Sequence, residues 1–258
     1  MQALRKHIDE VLFIDIETAS LCSEYELLDP IMKQHWQHKA KLLLKSQEVD
    51  DEKAADLYKS KGAIYSEFSK IVCISIGYLI KQKKEIVSMR TKSFFTGTEE
   101  DILNDFIDVM NRHFDQPKKQ YLSGHNIREF DIPFICRRLV INKIKIPKKL
   151  DISGKKPWDL DYLVDTLNLW KFGDYKSYIS LSLLSHVLGI PSPKDDIDGS
   201  MVHQVYWEEN DVDRIARYCE KDVVTSALVL MRLLNIEPSE EFENFSKSNF
   251  KSKADELR

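Results

Sequence analysis

Several features are missing from this chain, and each absence excludes a class. No apolar run approaches the roughly eighteen residues of a membrane span, and Met1 to His7 is not followed by the apolar segment of a secretory leader. A cytoplasmic protein with no membrane partner is the expectation. Cysteine is scarce: Cys22, Cys73, Cys136 and Cys219 show no Cys-x-x-Cys spacing, and three of them sit inside apolar segments. They read as reduced core residues, not as zinc ligands or disulfides. An excess of positive charge is also missing, since 38 Lys and Arg face 42 Asp and Glu for a net charge of -4. That excludes a generally basic nucleic-acid coat but permits a local basic groove. Neither an internal repeat nor a low-complexity linker appears, so residues 1–238 read as one domain and 239–258 as a polar tail. What is present, 43% apolar and 31% charged residues over 258 positions, suffices for a full core.

Val11-Leu12-Phe13-Ile14-Asp15-Ile16-Glu17-Thr18 organises the rest. Four apolar residues drive a strand into Asp15, and the Asp-Ile-Glu alternation puts two carboxylates on one face of the strand end. Such a pair is tolerated when it is solvated or shares a cation, and hard divalent ions favour oxygen ligands of this kind. Leu21 to Lys61 is a polar, helix-prone excursion of one or two helices, its charges most simply a solvated face. The near-continuous apolar run Ile71 to Ile80 predicts a central strand buried on both faces, and Glu85 to Arg90 returns as its hairpin partner.

Thr98 and the series Ile102, Leu103, Phe106, Ile107, Met110 predict a capped amphipathic helix. Tyr121 to Asn126 reads as a short strand running into a loop, followed by a helix with Pro133 in its first turn. Trp158 to Leu169 holds another strand, with Asp165 expected to cap the next element. A stripe of Leu181, Leu184, Val187 and Leu188 ends at Gly189, and a last helix runs from about Asp211 to Leu234. The expected class is α/β, a mixed sheet opened by three consecutive strands and packed with helices.

Two further acids match the first pair. Asp131, in Asn126-Ile127-Arg128-Glu129-Phe130-Asp131-Ile132-Pro133, stands at a helix mouth, where a dipole-stabilised acid is common. Asp222 stands four residues after Tyr218, so the two share one helical face, although a surface Asp beside a half-buried Tyr would look the same. As an ordered set, Asp15, Glu17, Asp131, Tyr218 and Asp222 resemble the motifs of the DEDD 3′→5′ exonucleases. The likeness is greatest to stand-alone predicted exonucleases related to the proofreading domain of family-B DNA polymerases. Arg217 occupies the position where one branch of that family has histidine, whereas Tyr218 fits the tyrosine (DEDDy) branch.

The resemblance implies a ribonuclease H-like fold in which Asp15, Glu17, Asp131 and Asp222 hold two divalent ions, Mg²⁺ or Mn²⁺. It implies that Tyr218 orients the attacking water, and that single-stranded or frayed 3′ ends, DNA before RNA, are cut to nucleoside 5′-monophosphates. Two ions in one site can stabilise both the attacking and the leaving oxygen of an in-line displacement. Around the site, Thr18 and Asn126 are candidate substrate contacts, and Phe130 either stacks or packs, with packing favoured. Lys143, Lys145, Lys148, Lys149, Lys155 and Lys156 form a basic run that either neutralises phosphate or is simply solvated. An RNA-directed exonuclease is one alternative. A catalytically silent nucleic-acid-binding protein is another, and it would be favoured by the loss of a carboxylate, none of which is missing.

Overall fold

The computed structural model describes residues 2–114, 120–174, 176, 178–191, 197–242 and 245. After a short helix α1 (Gln2–Lys6), strand β1 (Val11–Ser20) enters the middle of a five-stranded sheet. Helices α2 (Pro30–Leu44) and α3 (Asp51–Lys61) then leave the sheet before β2 (Ser69–Gln82) and β3 (Glu85–Phe94) complete an antiparallel meander. Helix α4 (Glu99–Phe114) leads to β4 (Tyr121–Gly124), which pairs parallel to β1. Helix α5 (Asp131–Ile141) precedes β5 (Leu163–Asp165), parallel to β4. The C-terminal part holds α6 (Thr166–Lys171), α7 (Leu181–Val187), α8 (Val202–Gln204) with a π turn at Val205–Glu209, and the long α9 (Val212–Leu233).

The order β3-β2-β1-β4-β5 gives a mixed sheet opened by three consecutive strands. The long apolar run predicted a central strand, and β2 is internal, but the middle position belongs to β1. The physical reason is the crossover from β3 through α4, which returns the chain to the free side of β1. Both strands are largely buried on both faces, which accounts for the apolar runs at 11–14 and 71–80. Helix α9 lies across β2 at Gly77, where a Cβ would come within 2.4 Å of Met89 Cε and 2.9 Å of Val223 Cγ1. The missing side chain sets how closely the helix approaches the sheet.

Excursion helices α2 and α3 carry their own core of Tyr25, Leu28, Trp36, Ala40, Ala54, Tyr58 and Phe68, with the buried Trp36 indole donating to Ala54 O at 2.8 Å. The elements after β5 follow the expected pattern: Asp165 caps α6, and Asp211 caps α9 by accepting from Arg214 N–H. At the far end, Ser239 N–H donates to Ile86 O and Phe242 is fully buried, so the packed chain continues past the expected boundary at 238. The remainder of the expected polar tail, Phe245 apart, lies outside the described residues, as do residues 192–196.

A buried ion pair invisible to the sequence patterns ties three elements together. Arg138 of α5 and Glu99 of α4 form a two-pronged pair at 2.8 and 2.5 Å, with side chains only 6% and 9% exposed. Glu99 also accepts from Ile71 N–H on β2 and from Asn142, while Arg138 donates to Ser66 O. Removing one partner leaves a buried charge without compensation, so Arg138→Ala should cost about 3–5 kcal/mol in urea unfolding. Replacing both side chains by apolar ones of similar volume should recover much of that loss. A single-variant loss below about 1 kcal/mol would show that the pair is not holding these elements.

Candidate active site

Five side chains from three separated segments converge where β1, the start of α5 and the middle of α9 meet. Asp15 and Glu17 project from β1 on one face, and their carboxylates and the Cys219 thiol of α9 have ligand atoms within 4.8 Å of one another. A bulge accompanies them: the register passes from Glu17↔Cys73 to Thr18↔Ile71, skipping one residue of β2. Bulges re-aim side chains at strand ends, and here Glu17 and Thr18 are both buried despite being neighbours in sequence.

Asp131 arrives from the other side of β1. Pairing between β1 and β4 stops at Phe13↔Ser123, and the Asp131 carboxylate accepts from Ile16 N–H beyond that point, as well as from its own N–H. The approach depends on Gly124, whose Cβ would sit 2.7 Å from Ile14 O. The loop that follows is fastened by Asp165, which accepts from Asn126 N–H at 3.0 Å and Arg128 N–H at 3.1 Å while capping α6. Asn126 is left-handed at φ 62°, and its Oδ1 is buried without a hydrogen-bond partner among the described residues.

On α9, Tyr218 and Asp222 share one face, and the Tyr218 hydroxyl donates to the Asp222 carboxylate. Val223, the next residue, is the one seated over Gly77. Both Tyr218 and Asp222 line a cleft of about 600 Å³ together with Tyr178, Ser180, Ser182 and Asp198.

Electrostatically the cluster is frustrated. Burial, followed by the charges of Asp222, Glu17 and Asp131, pushes the Asp15 carboxyl well above the usual carboxylate range. Glu17 is raised in the same way, by burial and then by Asp222. Asp131 is pushed up to about 7, chiefly by burial, with Asp165 and Asp222 adding to it and the two backbone N–H groups opposing. Tyr218 is also raised, by burial and then by Asp222, Glu17 and Asp15, so its hydroxyl is neutral and available to donate. A buried set of oxygen donors whose ionised forms repel one another fits hard divalent cations, which remove the cause of the repulsion.

The three candidate substrate contacts have different surroundings. Thr18 donates its hydroxyl to Ala63 O at 2.8 Å, so its side chain is committed to that contact. Phe130 packs against Phe134 at 5.5 Å and the main core, whereas Asn126 holds the unpartnered oxygen. In the basic run, Lys149 and Lys155 lie over the Tyr162 ring and Lys156 over Trp158. Cys219 was legible only as a core residue, not as a neighbour of the acids: its thiol donates to Asp15 Oδ2 at 3.3 Å, and its position three before Asp222 on the same helical face was the available signal. The cleft residues Tyr178, Ser180, Ser182 and Asp198 carried no such signal, because they lie in irregular segments and at the start of a short helix.

Residues 64–257 match the family model described as a predicted 3′-5′ exonuclease related to the exonuclease domain of PolB. Asp131, Tyr218 and Asp222 fall inside the matched segment, whereas Asp15, Glu17 and the excursion precede it. No curated protein matches the chain. Among solved structures, the chain is similar to the family B DNA polymerase from the hyperthermophilic archaeon Pyrobaculum calidifontis, with 16% identity and a TM-score of 0.52. That match covers 87% of this chain and 24% of the polymerase, so the chain spans about a quarter of the polymerase's length. A second similar structure is the RNase domain of the yeast Pop2 protein, at 9% identity and a TM-score of 0.42, covering 91% of this chain and 81% of that one. The polymerase likeness extends to the fold, which is the ribonuclease H-like one that the motifs implied.

The raised acids carry a pH signature. A carboxyl whose folded pKa lies above its unfolded value binds extra protons in the native state, so its favourable contribution is complete at low pH and lost as pH rises through the folded pKa. For Asp131 that window runs from its ordinary 3.8 to about 7. In chelator, the melting temperature should therefore fall by several degrees between about pH 5 and pH 8. Mn²⁺ should reverse the fall at the upper end, and Asp131→Asn should flatten it. A chelated protein equally or more stable at pH 8 would contradict the crowding of these acids.

Proposed function

The chain belongs to the family of predicted 3′-5′ exonucleases related to the exonuclease domain of PolB, and from that premise we propose that it is a metal-dependent 3′→5′ exonuclease of the tyrosine branch. Its substrate is single-stranded nucleic acid, DNA before RNA, and its products are nucleoside 5′-monophosphates. The preference for DNA follows from the relation to the PolB domain, and the single-strand preference from the few kcal/mol needed to unpair and unstack a duplex end.

The observation that supports this proposal is the convergence of Asp15, Glu17, Asp131 and Asp222 with Tyr218, at a cluster whose Tyr218 and Asp222 line a cleft. Asp15, Glu17, Asp131 and Asp222 would hold two divalent ions, Mg²⁺ or Mn²⁺. When bound, such ions supply Lewis acidity to the attacking water and to the departing 3′ oxygen. Asp15 would serve both ions. Glu17 and Asp222 would serve the ion that activates water, and Asp131, beside Ile16 N–H, mainly the second ion. Tyr218 keeps its proton and orients water by hydrogen bonding, its hydroxyl positioned through Asp222. Asn126 offers its Oδ1 to the terminal nucleotide, the Thr18 backbone lies alongside, and Phe130 supports the loop and borders the terminal nucleotide.

Purified protein should shorten a 5′-labelled single strand in one-nucleotide steps with Mg²⁺ or Mn²⁺ and stop with chelator, while Asp15→Asn or Asp222→Asn abolishes the activity without unfolding. Tyr218→Phe should bind metal normally yet turn over roughly 10²–10⁴-fold more slowly. Matched DNA and RNA strands in the same assay separate the two substrate classes. Efficient cutting of a circular single strand, which has no end, would refute exonuclease action, and full activity in either Asp variant would refute the metal-holding assignment.

A further inference from the structure

Helix α2 carries basic residues and no acid in a chain that carries excess acid. Lys33, His35, His38, Lys39 and Lys41 lie between Pro30 and Leu44 with no Asp or Glu among them, and Lys45 follows at the helix end. None of the four lysines is ion-paired among the described residues. Two are held in place by aromatic rings: Lys33 Nζ lies 5.6 Å from the Tyr25 ring centre and Lys39 Nζ 4.1 Å from that of Tyr65. Lys33, Gln34, His38 and Lys41 line an open pocket of about 390 Å³. Asp51, the acid in the lining, is engaged by Gln37, which donates to it at 2.7 Å.

This face is coupled to the acidic cleft through β1. The strand that carries Asp15 and Glu17 runs straight into the excursion, and Thr18 Oγ1–H to Ala63 O and Cys22 N–H to Tyr58 Oη fasten the excursion to it. Tyr25 is eight residues beyond Glu17, which at full extension puts it no more than about 28 Å away. Lysines are favoured in phosphate contacts and depleted in the cores of protein interfaces. Tyr25 is itself only 5% exposed, so it positions Lys33 and does not offer a stacking face.

We infer that the α2 pocket is a second binding site, taking the phosphodiester backbone of a single strand upstream of the nucleotide held in the cleft. The path from cleft to pocket rests on the proposal that the cleft receives a 3′ end, whereas the phosphate chemistry of the pocket does not. Lys33 and Lys41 supply the charge as point contacts to successive phosphates, with Gln34 and His38 beside them as hydrogen-bonding groups.

The test is fluorescence anisotropy of a single strand of about 20 nucleotides in chelator, where no hydrolysis occurs, for the full chain and for Lys33→Ala/Lys41→Ala. The double variant should bind several-fold more weakly, and the slope of log K against log salt should become shallower by about 1.4, the value for two lost single-strand phosphate contacts. Lys41→Ala alone, at an exposed residue, should show half of the slope change with an unaltered melting temperature. Unchanged affinity and slope for the long strand would overturn the inference. So would an equal loss from Lys83→Ala/Lys84→Ala in the β2–β3 turn, because that would make the effect one of net charge. The binding readout needs no turnover, so a preparation that binds as described but degrades nothing would fail the exonuclease proposal and leave the pocket assigned.

Discussion

Repulsion among buried carboxylates is the constraint on which the rest of this structure depends. Asp15, Glu17 and Asp131 are each driven toward the protonated form by burial and by one another, and Asp222 adds to all three. Left to relax, such a cluster would spread. It is held by backbone and packing features that have little freedom. Asp131 is tied to Ile16 N–H, Gly124 lets β4 close on Ile14 O, and Val223 sits against Gly77 so that Asp222 is fixed in height above the sheet. Farther out, the Arg138–Glu99 pair fixes α5 to α4 and to the start of β2. The energy that fold and packing invest in keeping like charges together is the feature that binding of a divalent cation would release.

Much of this was legible in the sequence, and the pattern of what was not is physical. Strands β1 and β2 announced themselves because burial on both faces demands continuous apolar, β-branched runs. Asp15 and Glu17 were legible as a same-face pair because strand periodicity is two, and Tyr218 with Asp222 because four residues make about one helical turn. Cys219 was read only as a core residue, since an isolated thiol in an apolar stretch says nothing about which carboxylate it will meet. The Arg138–Glu99 pair was illegible for a different reason: 39 positions separate its members, and neither stands in a local pattern. That β2 would be an internal strand was legible, but which strand takes the middle of the sheet was not, because hydrophobicity reports burial and not order, and β1 and β2 are buried alike.

The excursion between β1 and β2 shows why net charge is a poor guide to partners. A total of -4 includes the acids crowded around Asp15, while α2 carries basic residues and no acid. The two regions are joined by β1 and by the Thr18–Ala63 hydrogen bond, so the part of the chain that precedes the family match supplies both the first acid pair and the basic helix. The overall fold is thus a scaffold on which charge of opposite sign is segregated along one strand and its extension.

The most direct measurement is anomalous diffraction from crystals soaked in Mn²⁺. Convergence of the four acids into one metal-holding site predicts two Mn²⁺ peaks within the space bounded by Asp15, Glu17, Asp131 and Asp222, with Tyr218 adjacent. Crystals that take up Mn²⁺ elsewhere, or whose cleft stays free of Mn²⁺ at concentrations that saturate other sites, would contradict it.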